Sequence, residues 1–138
     1  MYIPWLILFI ILSVHVYFFL LAKKDVDRAH KKQVQKAKHT PAFRKIQIEF
    51  ASGLPFHVIS QKTRKREIAD SRHIAMWFLR RNTNWSTNKI GWFFGGFDHS
   101  TVINACSKVD NLRTSDIQFA KQVEKFIHNA SHYEAITD

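Results

Sequence analysis

Residues 90–112 read IGWFFGGFDHSTVINACSKVDNL, and this stretch decides the fold of the region around it. The glycine pair Gly95-Gly96 lies between two segments with helical apolar spacing, which predicts a tight turn between two helices. Asp98 stands where the second helix would begin and is a good N-cap residue. The pattern indicates a helix-turn-helix, although many other helical proteins also turn on glycine.

The predicted second helix has one apolar side and one polar side. Its apolar side, which we expect to be buried, consists of Val102, Cys106, Val109 and Leu112. Its other side carries four hydrogen-bonding residues, Ser100, Thr101, Asn104 and Lys108. When a helix-turn-helix binds DNA, the first residues of this second helix read base edges in the major groove.

Helix-start signals recur in the rest of residues 41–138. Thr40 followed by Pro41 predicts the start of one helix, and Gly53 with Pro55 predicts its end. The spacing of Phe43, Ile46 and Phe50 predicts the buried face of that helix. Further helix starts are predicted at Asp70, at Ser86 and at Ser115 or Asp116. No convincing alternating strand pattern is present, so the sequence predicts an all-α domain of four to six helices with an aromatic-rich core.

The charge of the chain is distributed unevenly. Residues 1–22 contain no acidic residue and no Lys or Arg, so the net charge of +10 lies entirely in the 116 residues that follow. Residues 23–40 carry seven Lys/Arg and two Asp, and residues 41–138 carry fourteen Lys/Arg and nine acidic residues, which gives +5 for each part. An excess of this size favours a polyanionic partner, and nucleic acid and anionic lipid headgroups fit equally well on composition alone.

The N-terminal segment is apolar and long. Residues 2–22 would span roughly 30 Å as a helix, the thickness of the hydrocarbon core of a bilayer. A cleaved signal peptide is less favoured because no basic start and no small-residue cleavage site flank the run. We therefore expect a single transmembrane helix over 1–22, a basic linker over 23–40 that can also contact anionic lipid headgroups, and a domain over 41–138. The positive-inside rule predicts that this domain is cytoplasmic, at the inner membrane of a bacterium.

Two stretches resemble a known family. The segment FFGGFDHSTVINACSKVDNL at 93–112 and the segment SQKTRKREIADSRHIAMWFLRR at 60–81 are similar to the C-terminal DNA-binding domain of the bacterial replication initiator DnaA. The similarity runs without a gap over about 56–112 and more loosely over 41–130. It implies an all-α, Trp-repressor-like helix-turn-helix fold and double-stranded DNA as the partner.

The resemblance also implies roles for individual residues. Base contacts are expected from Arg64 in the minor groove and from Asp98, His99, Ser100 and Thr101 in the major groove. Phosphate contacts are expected from Lys62, Arg66, Arg72, His73, Arg80 and Lys108. Two positions depart from the family pattern, because Phe97 replaces an arginine and His73 replaces a polar phosphate contact. Both departures are expected to weaken anchoring to the DNA backbone.

Catalytic, metal and cofactor sites are not expected. Asp98, His99 and Ser100 are the residue types of a hydrolase triad, but successive helix residues point about 100° apart and cannot relay a proton. His128 and His132 are four residues apart and lack a convincing third metal ligand, while the single cysteine, Cys106, permits no internal disulfide. The sequence contains no GxxxxGK[ST] loop for ATP.

The functional hypothesis from the sequence is a non-enzymatic, membrane-anchored protein that binds duplex DNA at DnaA-box-like sites. It would tether origin DNA, compete with the initiator for its boxes, or act as a membrane-held repressor, without ATPase activity. The alternative is a membrane adaptor whose degenerate helix-turn-helix binds a protein or an anionic lipid, a hypothesis that depends on an exposed Phe97.

Overall fold

The computed structural model describes residues 3–38 and 40–137, with side chains at 9–33, 35–36 and 40–137. Within these residues every regular element is a helix, as the sequence predicts. In chain order they are α1 (Ile3–Lys38), α2 (Pro41–Ser52), α3 (Phe56–Ile59), α4 (Arg66–Asn82), α5 (Thr87–Phe93), α6 (His99–Ser115) and α7 (Ile117–Ile136). The chain forms two compact units, residues 1–37 and residues 38–138.

The prediction of a transmembrane helix over 1–22 is not supported. Across the described part of the chain, no helix combines the length and apolar character needed to cross a membrane. Residues 1 and 2 lie outside the described residues, as do the side chains of 3–8.

Most of the predicted helix starts are confirmed. The Thr40 hydroxyl accepts a hydrogen bond from the Phe43 N–H, and the Ser86 hydroxyl accepts one from the Lys89 N–H. Asp116 accepts from two backbone N–H groups at the start of α7. The predicted start at Asp70 is wrong, because α4 already begins at Arg66 and Asp70 is buried one turn inside the helix. Its carboxylate pairs with Arg66 and Lys108 and does not cap the helix.

The predicted buried face of α2 is also wrong. Ile46 and Phe50 are exposed, whereas the buried residues of α2 are Arg44, Gln47, Ile48 and Ala51. The Arg44 guanidinium donates to the Gln47 amide oxygen at 2.6 Å and to Glu134 of α7 at 2.9 Å. Polar side chains thus hold α2 against α7, and burial of Arg44 is possible because a carboxylate compensates its charge.

The core that positions the helix-turn-helix lies between α4, α5 and α6. Ile90, Phe94, Val102 and Val109 are fully buried. The Cys106 and Leu112 side chains are only half-buried at the edge of this core. An aromatic cluster of Phe56, Trp85, Phe93 and Phe94 completes it, with ring centroids 4.8 to 5.4 Å apart. These separations are those at which aromatic pairs stabilise a core beyond simple burial.

Candidate nucleic-acid interface

The turn between α5 and α6 depends on three glycines. Gly95 and Gly96 have φ values of +99° and +82°, a region that other residues rarely adopt. The Gly91 carbonyl accepts hydrogen bonds from the N–H groups of Gly96 and Phe97 at 3.1 and 2.9 Å. A Cβ atom at Gly91 would lie only 2.0 Å from the Phe97 carbonyl oxygen. The backbone of α5 at Gly91 and the backbone of the turn at Phe97 are therefore in direct contact, with no room for a side chain between them.

The N-terminus of α6 is held by Asp98, the predicted N-cap. Its Oδ1 accepts hydrogen bonds from the backbone N–H and the hydroxyl of Ser100, both at 2.8 Å, and lies 3.0 Å from Nδ1 of His99. The Ser100 N–H bond, more than any other contact, holds the pKa of Asp98 below its ordinary value. His99 and Ser100 are exposed and Thr101 is half-buried. The helix start thus presents short polar side chains to solvent, as a recognition helix must.

The basic segment before α4, residues 60–65, is an ordered loop. The Thr63 N–H donates to the Gln61 carbonyl at 2.8 Å, and the Lys65 N–H donates to the Thr63 hydroxyl at 3.3 Å. Lys62 and Arg64 of this loop are exposed, as is Arg66 at the start of α4. The cations predicted to meet DNA are therefore free to do so, on a loop whose backbone is held by local hydrogen bonds.

Arg72 is the one predicted phosphate contact that the fold buries, with an exposed fraction of 6%. Its guanidinium donates to the backbone carbonyls of Ile59, Gln61 and Thr63, and these hydrogen bonds attach the loop to α4. Burial lowers its pKa from the ordinary arginine value. This geometry favours a structural role for Arg72 over the phosphate contact that the resemblance implies.

Three further predicted phosphate contacts lie around Asp70. The Asp70 carboxylate is 3.4 Å from the Lys108 ammonium and 3.5 Å from the Arg66 guanidinium, and both cations remain exposed enough to meet a second anion. Burial, with the Lys108 and Arg72 charges next, lowers the pKa of His73 to about 4. His73 is therefore neutral at pH 7, and any contact it makes to a phosphate is a hydrogen bond without charge.

Arg80 lies at the other end of α4. It is exposed, and its guanidinium donates to the Trp85 carbonyl at 3.4 Å, just before α5 begins. One long bond leaves most of its five N–H donors available, which agrees with the predicted role in binding phosphate.

The sequence did not predict where the side chains of two aromatic residues near the turn, Phe97 and Trp92, would lie. Phe97 is half-buried against the core, with the Arg72 guanidinium carbon 4.9 Å and the Lys62 nitrogen 5.6 Å from its ring centroid. Trp92 of α5 is 79% exposed. Phe97 precedes α6 and is not part of its apolar spacing, so the only available signal was its place between a glycine turn and an N-cap. The adaptor hypothesis loses its main support because Phe97 is not freely exposed.

The comparison with family models agrees with this geometry. Residues 48–109 match the family described as bacterial dnaA protein helix-turn-helix. The matched range begins within α2 and ends within α6, so it contains the basic loop, the glycine turn and the N-terminal part of α6.

Curated proteins similar to the chain are chromosomal replication initiator proteins DnaA. The protein of Flavobacterium psychrophilum is 38% identical over 109 residues, which is 74% of this chain and 23% of that protein. The protein of a Synechococcus species is 46% identical over 65 residues, covering 47% of this chain and 14% of that protein. The protein of Bacteroides thetaiotaomicron is 42% identical over 67 residues, covering 49% and 14%. The chain thus spans less than a quarter of the length of these relatives.

Proposed function

We propose that the chain binds double-stranded DNA at DnaA-box-like sites, because residues 48–109 match the family described as bacterial dnaA protein helix-turn-helix. It does so without hydrolysing ATP, and it thereby tethers origin DNA or regulates the use of the origin. The observation that carries the proposal is the combination, within this one domain, of a tight glycine turn, a capped polar helix start and an ordered basic loop.

Sequence readout is assigned to two elements. The exposed His99 and Ser100 and the half-buried Thr101 lie at the start of α6, where short polar side chains meet base edges in the major groove. Arg64, exposed on the basic loop, is assigned to the minor groove, where arginine favours the narrow groove of A·T-rich DNA. Together they favour a short A·T-rich element read through both grooves.

We assign the part of DNA binding that does not depend on base sequence to exposed cations. Lys62, Arg66, Arg80 and Lys108 are exposed and have the charge that phosphate contacts need. The carboxylate of Asp70 offsets part of the charge of Arg66 and Lys108, so we expect fewer released counterions than four free cations would give.

A pair of labelled duplexes tests this proposal. The full chain, kept in mild detergent, is titrated by fluorescence anisotropy against a DnaA-box duplex and against a shuffled duplex of the same length and composition. We expect tighter binding to the box duplex at every salt concentration, and we expect Arg64→Ala to reduce that preference. Lys36→Ala is the matched control, because this exposed cation lies in the other unit of the chain. Equal affinity for the two duplexes contradicts the proposal.

A second proposal concerns α1. We propose that it contacts lipid at the cytoplasmic face of a bacterial inner membrane. Its large apolar side chains from Phe9 to Leu21 are 42–76% exposed and occupy every position of this stretch except Ser13 and His15. The polar Ser13 and His15 side chains pair with backbone carbonyls one turn earlier, at 2.8 and 3.1 Å, which suits an environment without water.

Flotation of the full chain with phospholipid vesicles tests the second proposal. We expect the chain to float with the vesicles, and a Leu12→Glu, Phe19→Glu variant to stay in solution. Lys23→Gln with Lys24→Gln is the control for headgroup charge, and it should weaken binding to anionic vesicles alone. A wild-type chain that does not float with either type of vesicle contradicts lipid contact and leaves the DNA-binding proposal unaffected.

A further inference from the structure

The contacts around Phe97 join the basic loop to the helix-turn-helix. We propose that Phe97 is a positioning residue for DNA recognition: its ring holds Arg72 and Lys62, and through Arg72 it fixes the loop that presents Arg64. This inference rests on the proposed DNA-binding function. Phe97, which is uncharged, thereby contributes to DNA binding at a position where the family pattern has an arginine.

The first step is the geometry of Arg72. This arginine projects from α4, and its guanidinium donates to carbonyls at Ile59, Gln61 and Thr63, which include two residues of the loop. In the part of the chain that the structure describes, no ion pair to a carboxylate is recorded for Arg72. The three carbonyl oxygens compensate part of the lost hydration of this buried guanidinium, and a further source of negative potential would stabilise it more.

The second step is the ring that supplies this potential. The face of an aromatic ring carries negative charge density, and a cation within about 6 Å of its centroid is attracted to it. The Arg72 carbon is 4.9 Å and the Lys62 nitrogen 5.6 Å from the Phe97 centroid, so both meet this condition. A leucine at this position would retain apolar packing and lose the attraction.

The third step is the rigidity of Phe97 itself. Its N–H donates to the Gly91 carbonyl at 2.9 Å, and its own carbonyl oxygen lies where a side chain at Gly91 would begin. The ring is therefore fixed to the same backbone turn that places the start of α6. A single residue thus couples the position of the loop to the position of the recognition helix.

The test combines loop order with DNA binding. Hydrogen exchange of the amides in 60–66 is measured by mass spectrometry on the full chain, for wild type, Phe97→Leu and Phe97→Tyr. We expect Phe97→Leu to increase exchange of these amides about 2- to 30-fold, the range that corresponds to one lost cation–π contact. Phe97→Tyr retains the ring and should stay near wild type. Phe126→Leu, which removes a core ring on α7, is the control for general destabilisation and should leave loop exchange unchanged.

Affinity for the DnaA-box duplex supplies the second readout. We expect Phe97→Leu to weaken binding about 2- to 30-fold in the wild-type background and to have a smaller further effect in an Arg64→Ala background, because the loop then retains only its Lys62 phosphate contact to lose. Equal losses in both backgrounds, or unchanged loop exchange in Phe97→Leu, overturn the inference. If wild type shows no preference for the box duplex, the proposed function fails, while the exchange measurement still decides whether Phe97 orders the loop.

Discussion

Replacing Gly91 with alanine should destabilise the helix-turn-helix, although alanine in place of glycine normally stabilises a helix by about 1 kcal/mol. A Cβ at this position would lie 2.0 Å from the Phe97 carbonyl oxygen, whereas ordinary contacts begin at 3.4 Å. One of the two backbones must therefore move by 3.4 − 2.0 Å, or about 1.4 Å. Both are held by the hydrogen bonds from Gly96 and Phe97 to the Gly91 carbonyl.

The expected loss in free energy of unfolding is the sum of two costs minus one gain. Overpacking of this kind costs about 1–3 kcal/mol, and weakening the two turn hydrogen bonds adds about 0.5–1.5 kcal/mol for each. After subtraction of the gain in helix propensity, the net loss in free energy of unfolding is about 1–5 kcal/mol. The displaced start of α6 should also reduce affinity for the box duplex under conditions in which the variant remains folded.

Urea unfolding followed by circular dichroism, and anisotropy titration with the box duplex, measure the two effects. Gly53→Ala is the matched control, because Gly53 has φ +71° and no atom within 4 Å of an added Cβ. It should lose about 1–2 kcal/mol through backbone strain alone, with box affinity unchanged. A Gly91→Ala chain that is as stable as wild type, or more stable, refutes the argument from close backbone approach.

Three further predictions concern single contacts. Asp98→Ala removes the cap of α6 and should cost about 0.5–2 kcal/mol in urea unfolding, whereas Asp98→Ser should retain most of the stability; equal losses would show that the cap contributes nothing. Thr101→Ala should cost about 1–3 kcal/mol of binding free energy on the box duplex and little on shuffled DNA, and equal losses on both duplexes would exclude base readout by Thr101. Arg80→Ala should instead weaken binding to both duplexes and flatten the slope of log affinity against log salt by about 0.9. The folded pKa of His73, about 4, lies below the ordinary value near 6.5, so the unfolded chain binds more protons between these values and stability should fall as pH falls from about 6.5 to about 4. In His73→Gln this fall should be smaller, and an unchanged pH profile would exclude His73 as its source.

Local signals were sufficient for much of the fold. The caps at Thr40, Ser86, Asp98 and Asp116 were predictable because an N-cap depends on one side chain and the two or three residues that follow it. Asp70 was misassigned because the sequence cannot show that its carboxylate faces Lys108, which lies 38 residues later in another helix.

Long-range polar contacts account for the other differences. Spacing placed Phe43, Ile46 and Phe50 on the buried side of α2. The rings of Phe43 and Phe50 do contact Tyr133 of α7, but only at the edge of the helix pair, whereas Arg44 and Gln47 take the buried positions through their contacts to Glu134. The residues of the candidate nucleic-acid interface show the same division between local and long-range signals. Exposed cations such as Arg64 and Lys62 were identified from their neighbours in sequence, while the burial of Arg72 depends on a loop and a ring that meet only in the folded chain.

Selection from a pool of randomised duplexes tests the central claim most directly. The full chain is immobilised, the bound DNA is recovered at fixed salt over several rounds, and the enriched sequences are compared. We predict enrichment of one short A·T-rich element resembling a DnaA box, bound about 1,000-fold or more tightly than random DNA. Recovery of a pool with no enriched element, although the chain binds DNA, would contradict the account and leave only electrostatic binding.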